Sequence, residues 1–162
     1  DDNKTNDSDY SLNFLCDIND LDHLIDCGLK NLIIGIGFLN DLKKREKIFE
    51  SIHSKLNIPS IIHPSAIIED SAIVKKGCQI MAGAIIGSNV IVGENCIINS
   101  GAIVSHNAVI DNTSHITPGA TIAGHVSIGK RVTVGMCATV YIGLSISNDT
   151  VINNNESIIK NI

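Results

Sequence analysis

Ile97-Ile-Asn-Ser-Gly-Ala-Ile-Val-Ser-His-Asn-Ala-Val-Ile-Asp-Asn-Thr-Ser114 divides into three six-residue units. Each has an aliphatic residue second and a small residue sixth: Ile98 and Ala102, Val104 and Ala108, Ile110 and Ser114. The frame runs outward in both directions, from Ile61 to Ile162, as seventeen units without an insertion. The second position is Ile62, Ile68, Val74, Ile80, Ile86 and Val92 before this stretch, and Ile116, Ile122, Ile128, Val134, Val140, Ile146, Ile152 and Ile158 after it. A hexapeptide period of this kind specifies a mainly β chain folded as a parallel β-helix. Each unit supplies one short strand and a turn, and no unit can bury its apolar face alone.

With three units per coil, residues eighteen apart lie one above the other at the strand spacing of roughly 4.8 Å. Gly83, Gly101 and Gly119 then form a column at one corner, continued by Ser65 and Cys137, where a left-handed backbone suits glycine. Cys78 and Cys96 stack as small core fillers. All three Phe and one of the two Tyr precede residue 60, which fits a prism too narrow for rings. The spacing does not fix the hand of the coil.

The net charge is −5, and residues 1–60 hold eleven of the seventeen acids with seven of the twelve Lys and Arg. No basic stripe exists, so nucleic acid is not an expected partner. No 18-residue apolar stretch or cleavable leader is found, which reads as neither membrane-spanning nor secreted. Five irregularly spaced Cys fit a reducing cytoplasm better than a disulfide framework.

Residues 1–59 read as a partial small α/β, Rossmann-like domain ahead of a β-helix at 60–162. A helix is expected from Asp20 to Cys27, capped by Asp17 or Asp20 and ended by Gly28. A buried parallel strand is expected over Asn31 to Ile36, then an amphipathic helix from Asn40 to Ser54 with Leu42, Phe49 and Ile52 apolar among charges that include Arg45.

His106 and His115 are the candidates for chemistry. Nine residues is half a coil, so within one chain they face different sides of the prism and converge only between chains of a threefold assembly. Gly124 lies eighteen residues after His106 and stacks on it with no side chain in the way. A base beside an oxyanion donor suits acyl transfer. His125 reads as surface. A metal-dependent lyase resembling the γ-type carbonic anhydrases would need a close pair of His in one chain, which the spacing of His106, His115 and His125 does not offer. A non-catalytic scaffold would show a regular external ladder of one residue type, and the outer positions Glu69, Lys75, Asn99, Asp111, Gly129 and Asn153 show none.

The segment from Ser60-Ile-Ile-His-Pro-Ser-Ala through Ile-Val-Ser-His-Asn to His-Ile-Thr-Pro-Gly-Ala-Thr-Ile-Ala-Gly resembles the sugar O-/N-acyltransferases of the sialic acid O-acetyltransferase and bacillosamine N-acetyltransferase type. The resemblance implies a left-handed β-helix, while the paired histidines point to a homotrimer and the cysteine usage to the cytoplasm. The resemblance also implies transfer of an acetyl group from acetyl-CoA to the amine or hydroxyl of a nucleotide-activated amino sugar or a sialic-acid-like sugar. His106 would be the general base, His115 and Gly124 would hold the acetyl-CoA thioester, and Asn99 would meet the acceptor. Asp1, Asp2 and Lys4 match an Asp-Asp-x-Lys element that binds the nucleotide sugar. No metal is implied. Relatives have Glu or Asp after the base, whereas this chain has Asn107, an amide that can orient the ring but brings no negative charge. Against that family the chain lacks an opening strand with its Gly-rich loop and a Pro-containing tail.

Overall fold

A computed structural model describes residues 20–37 and 42–162. Each hexapeptide forms one two-residue strand, from β1 (Ile61–Ile62) to β17 (Ser157–Ile158). Every third strand pairs in parallel, giving two six-stranded sheets and one of five strands. The registers join residues eighteen apart, as in His115 with Ile97 and Thr133. The result is a left-handed parallel β-solenoid of about five turns. Its first face carries β1, β4 (Gln79–Ile80), β7 (Ile97–Ile98) and their successors, its second β2 (Ile67–Ile68), β5 (Ile85–Ile86) and β8 (Ile103–Val104), and its third β3 (Ile73–Val74), β6 (Ile91–Val92) and β9 (Val109–Ile110).

The aliphatic second positions fill the prism. Ile86, Ile98, Val104, Ile110, Ile116 and Ile122 are fully buried, with Ala84, Ala102, Ala108 and Ala120 packed at the corners. Cys78 and Cys96 are buried in the same core, as expected of small fillers. Two-residue strands need sharp corners, and all three corners use left-handed backbone, not the glycine corner alone. The other two columns place Asn89, Asn107 and His125 at φ 58, 57 and 59, and Asn95, Thr113, Arg131 and Asp149 at φ 54 to 62. Asn and Asp tolerate this region best, and the ladder bonds of the solenoid hold the bulkier residues in it.

Ahead of the solenoid, α1 spans Leu21–Asp26, and its Asp20 N-cap makes no side-chain capping bond. Gly28 ends it at φ 100, as the sequence suggests. The strand expected over Asn31 to Ile36 reduces to one parallel bridge, Asn31 with Asn57. Asn57 exchanges backbone bonds with Lys30 and Leu32, and beyond them the Ile34 and Ile36 carbonyls turn to side chains instead of a ladder. Helix α2 spans Leu42–Ile52; Asn40, the expected start, lies outside the described residues. Leu21, Ile34, Phe49, Ile52, Leu56 and Ile58 form a second small core.

Arg45 corrects the reading of α2. It sits among charges in sequence yet is only 1% exposed. Its Nη1 donates to the carbonyls of Ile34 (3.0 Å) and Ile36 (2.6 Å), and its Nε to that of Asn95 (3.1 Å). Nη2 reaches the Gly77 carbonyl at 3.4 Å. Burial lowers its pKa, with the Cys96 and Cys78 thiols opposing, yet a guanidinium keeps its charge in proteins. Backbone dipoles solvate that charge, and the guanidinium clamps the 34–36 segment onto the first coils. Gln79 adds a bond from Nε2 to the Ile34 carbonyl at 2.6 Å. Further along the axis, Arg131 bridges Glu46 of α2 at 2.8 Å and Asp149 at 2.7 Å.

Candidate active site

On the first face, the clamped 35–37 segment walls a cleft of about 610 Å³ whose lining includes Gly35, Gly37, Asn99, His115, Thr117 and Met136. His115 opens β10 (His115–Ile116) and points outward from the sheet, yet it is 7% exposed. Asn99 follows β7 (Ile97–Ile98) at the corner one coil below. The Asn99 Oδ1 accepts the Ser100 N–H at 2.8 Å, which fixes the amide so that Nδ2 faces His115 Nε2 at 3.0 Å. His115 Nε2 is therefore the accepting nitrogen and Nδ1 carries the ring proton, an assignment made from the amide's orientation. Burial, and next the Arg45 charge, depress its pKa to about 4. At neutral pH the ring is uncharged, with Nδ1 buried.

His106 lies elsewhere, exposed at the corner between β8 (Ile103–Val104) and β9 (Val109–Ile110). That is the corner between the second and third faces, opposite the first. Asn107 Nδ2 stands 3.0 Å from His106 Nδ1, and Asn107 Oδ1 accepts from Asn89 Nδ2 at 3.3 Å. The ring packs on the backbone of Gly124, where an added Cβ would lie 2.6 Å from His106 Cε1 and 2.8 Å from Nε2. Only glycine leaves room. His125 packs its ring across that of His106, with centroids 5.2 Å apart at 84°, and the His125 backbone N–H donates to the His106 carbonyl at 3.1 Å.

The structure thus brings Asn99 to His115, and His106 to Asn107 and Gly124, but leaves the two groups on opposite sides of one chain, as the half-coil spacing requires. Asp1, Asp2 and Lys4 lie outside the described residues. His125 is at the surface, as expected, and one expectation needs correction. His125 is in contact with His106, so the chain does contain a close His pair; among the described residues no third metal-binding side chain joins it. Asn89 was not singled out from sequence, although it lies eighteen residues before Asn107 and eighteen-residue spacing places both in one column. Arg45 has no such signal, because charge along a helix gives no hint of the carbonyls that face it.

Residues 71–106 match the family model described as bacterial transferase hexapeptide (six repeats). Comparison with curated proteins finds no match. Among solved structures, PerB from Caulobacter crescentus in complex with CoA and GDP-perosamine is 31% identical, with TM-score 0.86 over 90% of this chain and 70% of that one. A mutant of the GDP-perosamine N-acetyltransferase from that organism, with the same ligands, is 30% identical over 90% of this chain and 69% of that one, also at TM-score 0.86. The acetyltransferase domain of PglB from Neisseria gonorrhoeae is 25% identical over 87% of this chain and 70% of that one, at TM-score 0.80. Unbroken hexapeptides, the shared solenoid and this extent of likeness mean that the chain belongs to the hexapeptide-repeat sugar acyltransferases.

Proposed function

We propose that this chain transfers the acetyl group of acetyl-CoA to the amine of a nucleotide-activated amino sugar by direct attack. The observation that carries this reading is the His106 imidazole, held at Nδ1 by Asn107 and seated on Gly124 where a side chain would collide. His106 Nε2 would take the amine proton as the nitrogen attacks the thioester carbonyl. Gly124 N–H would stabilise the oxyanion, the neutral His115 ring would line the pocket for the acetyl-CoA thioester, and the thiolate of CoA would leave. Asn99, bonded to His115, would contact the acceptor sugar. Residues 1–59, with Asp1, Asp2 and Lys4, would hold the nucleotide part, and residues 60–162 the CoA.

The relatives support the substrate class, since PerB is described with CoA and GDP-perosamine together.

Because His106 and His115 lie on opposite sides of a chain, one copy must complete the site of another, and a homotrimer is the assembly that closes such a contact. Outward-facing ladders support it. Ile67, Ile85 and Ile103 line the second face, and Ile73, Ile91 and Val109 the third, in register on either side of the His106 corner. Ile67 and Ile73 are more than half exposed in the single chain.

The test is CoA release from acetyl-CoA against a panel of nucleotide-linked amino sugars, including GDP-perosamine, and free sialic acids. Activity confined to the amino sugars, and lost in His106→Ala, is expected. Turnover of sialic acids alone, or a His106→Ala enzyme with more than half its activity, would overturn the reading.

A further inference from the structure

A base at His106 Nε2 places a demand on the other nitrogen. A neutral imidazole carries one ring proton, and only if that proton sits on Nδ1 does Nε2 have a lone pair to offer. The recorded contacts run from Asn89 Nδ2 to Asn107 Oδ1, 3.3 Å, and from Asn107 Nδ2 to His106 Nδ1, 3.0 Å. In that pattern Nδ1 accepts, the proton is on Nε2, and the ring cannot act as a base there. The two ends of an amide share one outline, so the same contacts allow a second pattern with both amides turned. His106 Nδ1–H then donates to Asn107 Oδ1, and Asn107 Nδ2–H donates to Asn89 Oδ1. Only this pattern survives proton uptake, because an imidazolium has N–H at both nitrogens and would otherwise oppose Nδ1–H to an amide N–H.

A carboxylate beside the ring would accept from Nδ1 however it turned. Asn107 has no such freedom from direction, so its own orientation has to be held. Asn89 is placed to hold it. Both residues occupy the same corner column with left-handed backbone, φ 58 and 57, so their amides stack at the coil spacing. The Asn89 backbone is itself anchored, its N–H donating to Ser71 Oγ at 3.0 Å.

Resting on the acyl-transfer reading of His106, we propose that Asn89 is a positioning residue for that reaction. Once Nε2 takes a proton only the turned pattern satisfies every donor, and Asn89 Oδ1, receiving Asn107 Nδ2–H in that pattern, stabilises the imidazolium and the Nδ1–H form from which it arises. During turnover the acceptor's proton goes to Nε2, while the Nδ1 proton stays where it is, shared with Asn107 Oδ1.

Asn89→Gly is the informative variant, because Gly143 already occupies this column at φ 72 and the backbone needs no change. Nitrogen NMR of ¹⁵N-labelled imidazole should show the Nδ1–H form of His106 in the wild-type chain and a shift toward Nε2–H in Asn89→Gly. The kcat should fall roughly three- to tenfold, about the weight of one hydrogen bond, with KM for acetyl-CoA unchanged. In an Asn107→Asp background, where a carboxylate receives Nδ1–H without help, Asn89→Gly should change kcat by less than about twofold, since the interaction it supports no longer depends on direction. An equal loss in both backgrounds, or an unmoved tautomer, would overturn the proposal. The spectra separate this from the underlying reading: a fully active His106→Ala enzyme would refute the base, while the tautomer shift would still report on Asn89.

Discussion

At the scale of single residues, the site depends on what sits against each ring. Gly124→Ala would force a Cβ to 2.6 Å from His106 Cε1, a distance that real contacts do not allow, so the ring must swing away. The variant should fold normally and lose activity to nearly the same level as His106→Ala, which itself should cost about 10²–10⁴-fold in kcat. Combining the two should add little, since the first already removes what the second deletes. A Gly124→Ala enzyme with wild-type kcat would mean that the ring does not work from this seat. His115 makes a different prediction. Its folded pKa is about 4 against 6.5 for the unassisted side chain, so between those values the unfolded chain binds a proton that the folded chain does not. Its contribution is fully present above pH 6.5 and is lost as pH falls toward 4, by at most about 3 kcal/mol. Denaturation midpoints of His115→Gln should therefore fall less steeply than wild type across that window; parallel slopes would show that the ring's burial carries no such penalty.

At the scale of elements, the solenoid was legible because its pattern repeats: Ile98, Val104 and Ile110 need no neighbour other than the next unit to state their place. The same periodicity puts His106 over Gly124 and separates it from His115 on sequence alone. It could equally have flagged Asn89 and His125, both eighteen residues from Asn107. The segment before residue 60 has no period, and its decisive contact, Arg45 against the carbonyls of Ile34, Ile36, Gly77 and Asn95, joins residues far apart in sequence to backbone atoms that every residue possesses. A strand expected over Asn31 to Ile36 is instead a segment satisfied by side chains. Arg45→Lys tests this. A lysine has three donors on one nitrogen and cannot span carbonyls on two coils and a loop. Hydrogen exchange at residues 32–37 and 42–52 should quicken while the solenoid amides of residues 79–140 keep their protection. Uniform quickening would indicate that the clamp stabilises the whole chain, and no change would show that it stabilises neither.

At the scale of the whole molecule, the separation of His106 from His115 turns an oligomeric state into a statement about the site. If each site takes His106 from one copy and His115 from the next, two inactive variants can repair each other. Coexpressed His106→Ala and His115→Ala chains, mixed equally in a trimer, would restore a site wherever a chain with intact His106 abuts one with intact His115. Two independent halves give about a quarter of the sites, so a substantial fraction of wild-type activity should return in the mixed assembly though neither parent has it. Ile103→Glu supplies the companion experiment. That side chain points out from the second face and is partly exposed in the single chain, so a charge there costs the monomer little. Buried against another copy, the same charge would be desolvated without a partner. Light scattering should show the assembly dissociating while the isolated solenoid keeps its thermal midpoint, and activity should be lost with the assembly. Complementation that fails in an intact trimer would place both histidines in service of one chain's own chemistry, and a monomer with full activity would remove the need for a second copy.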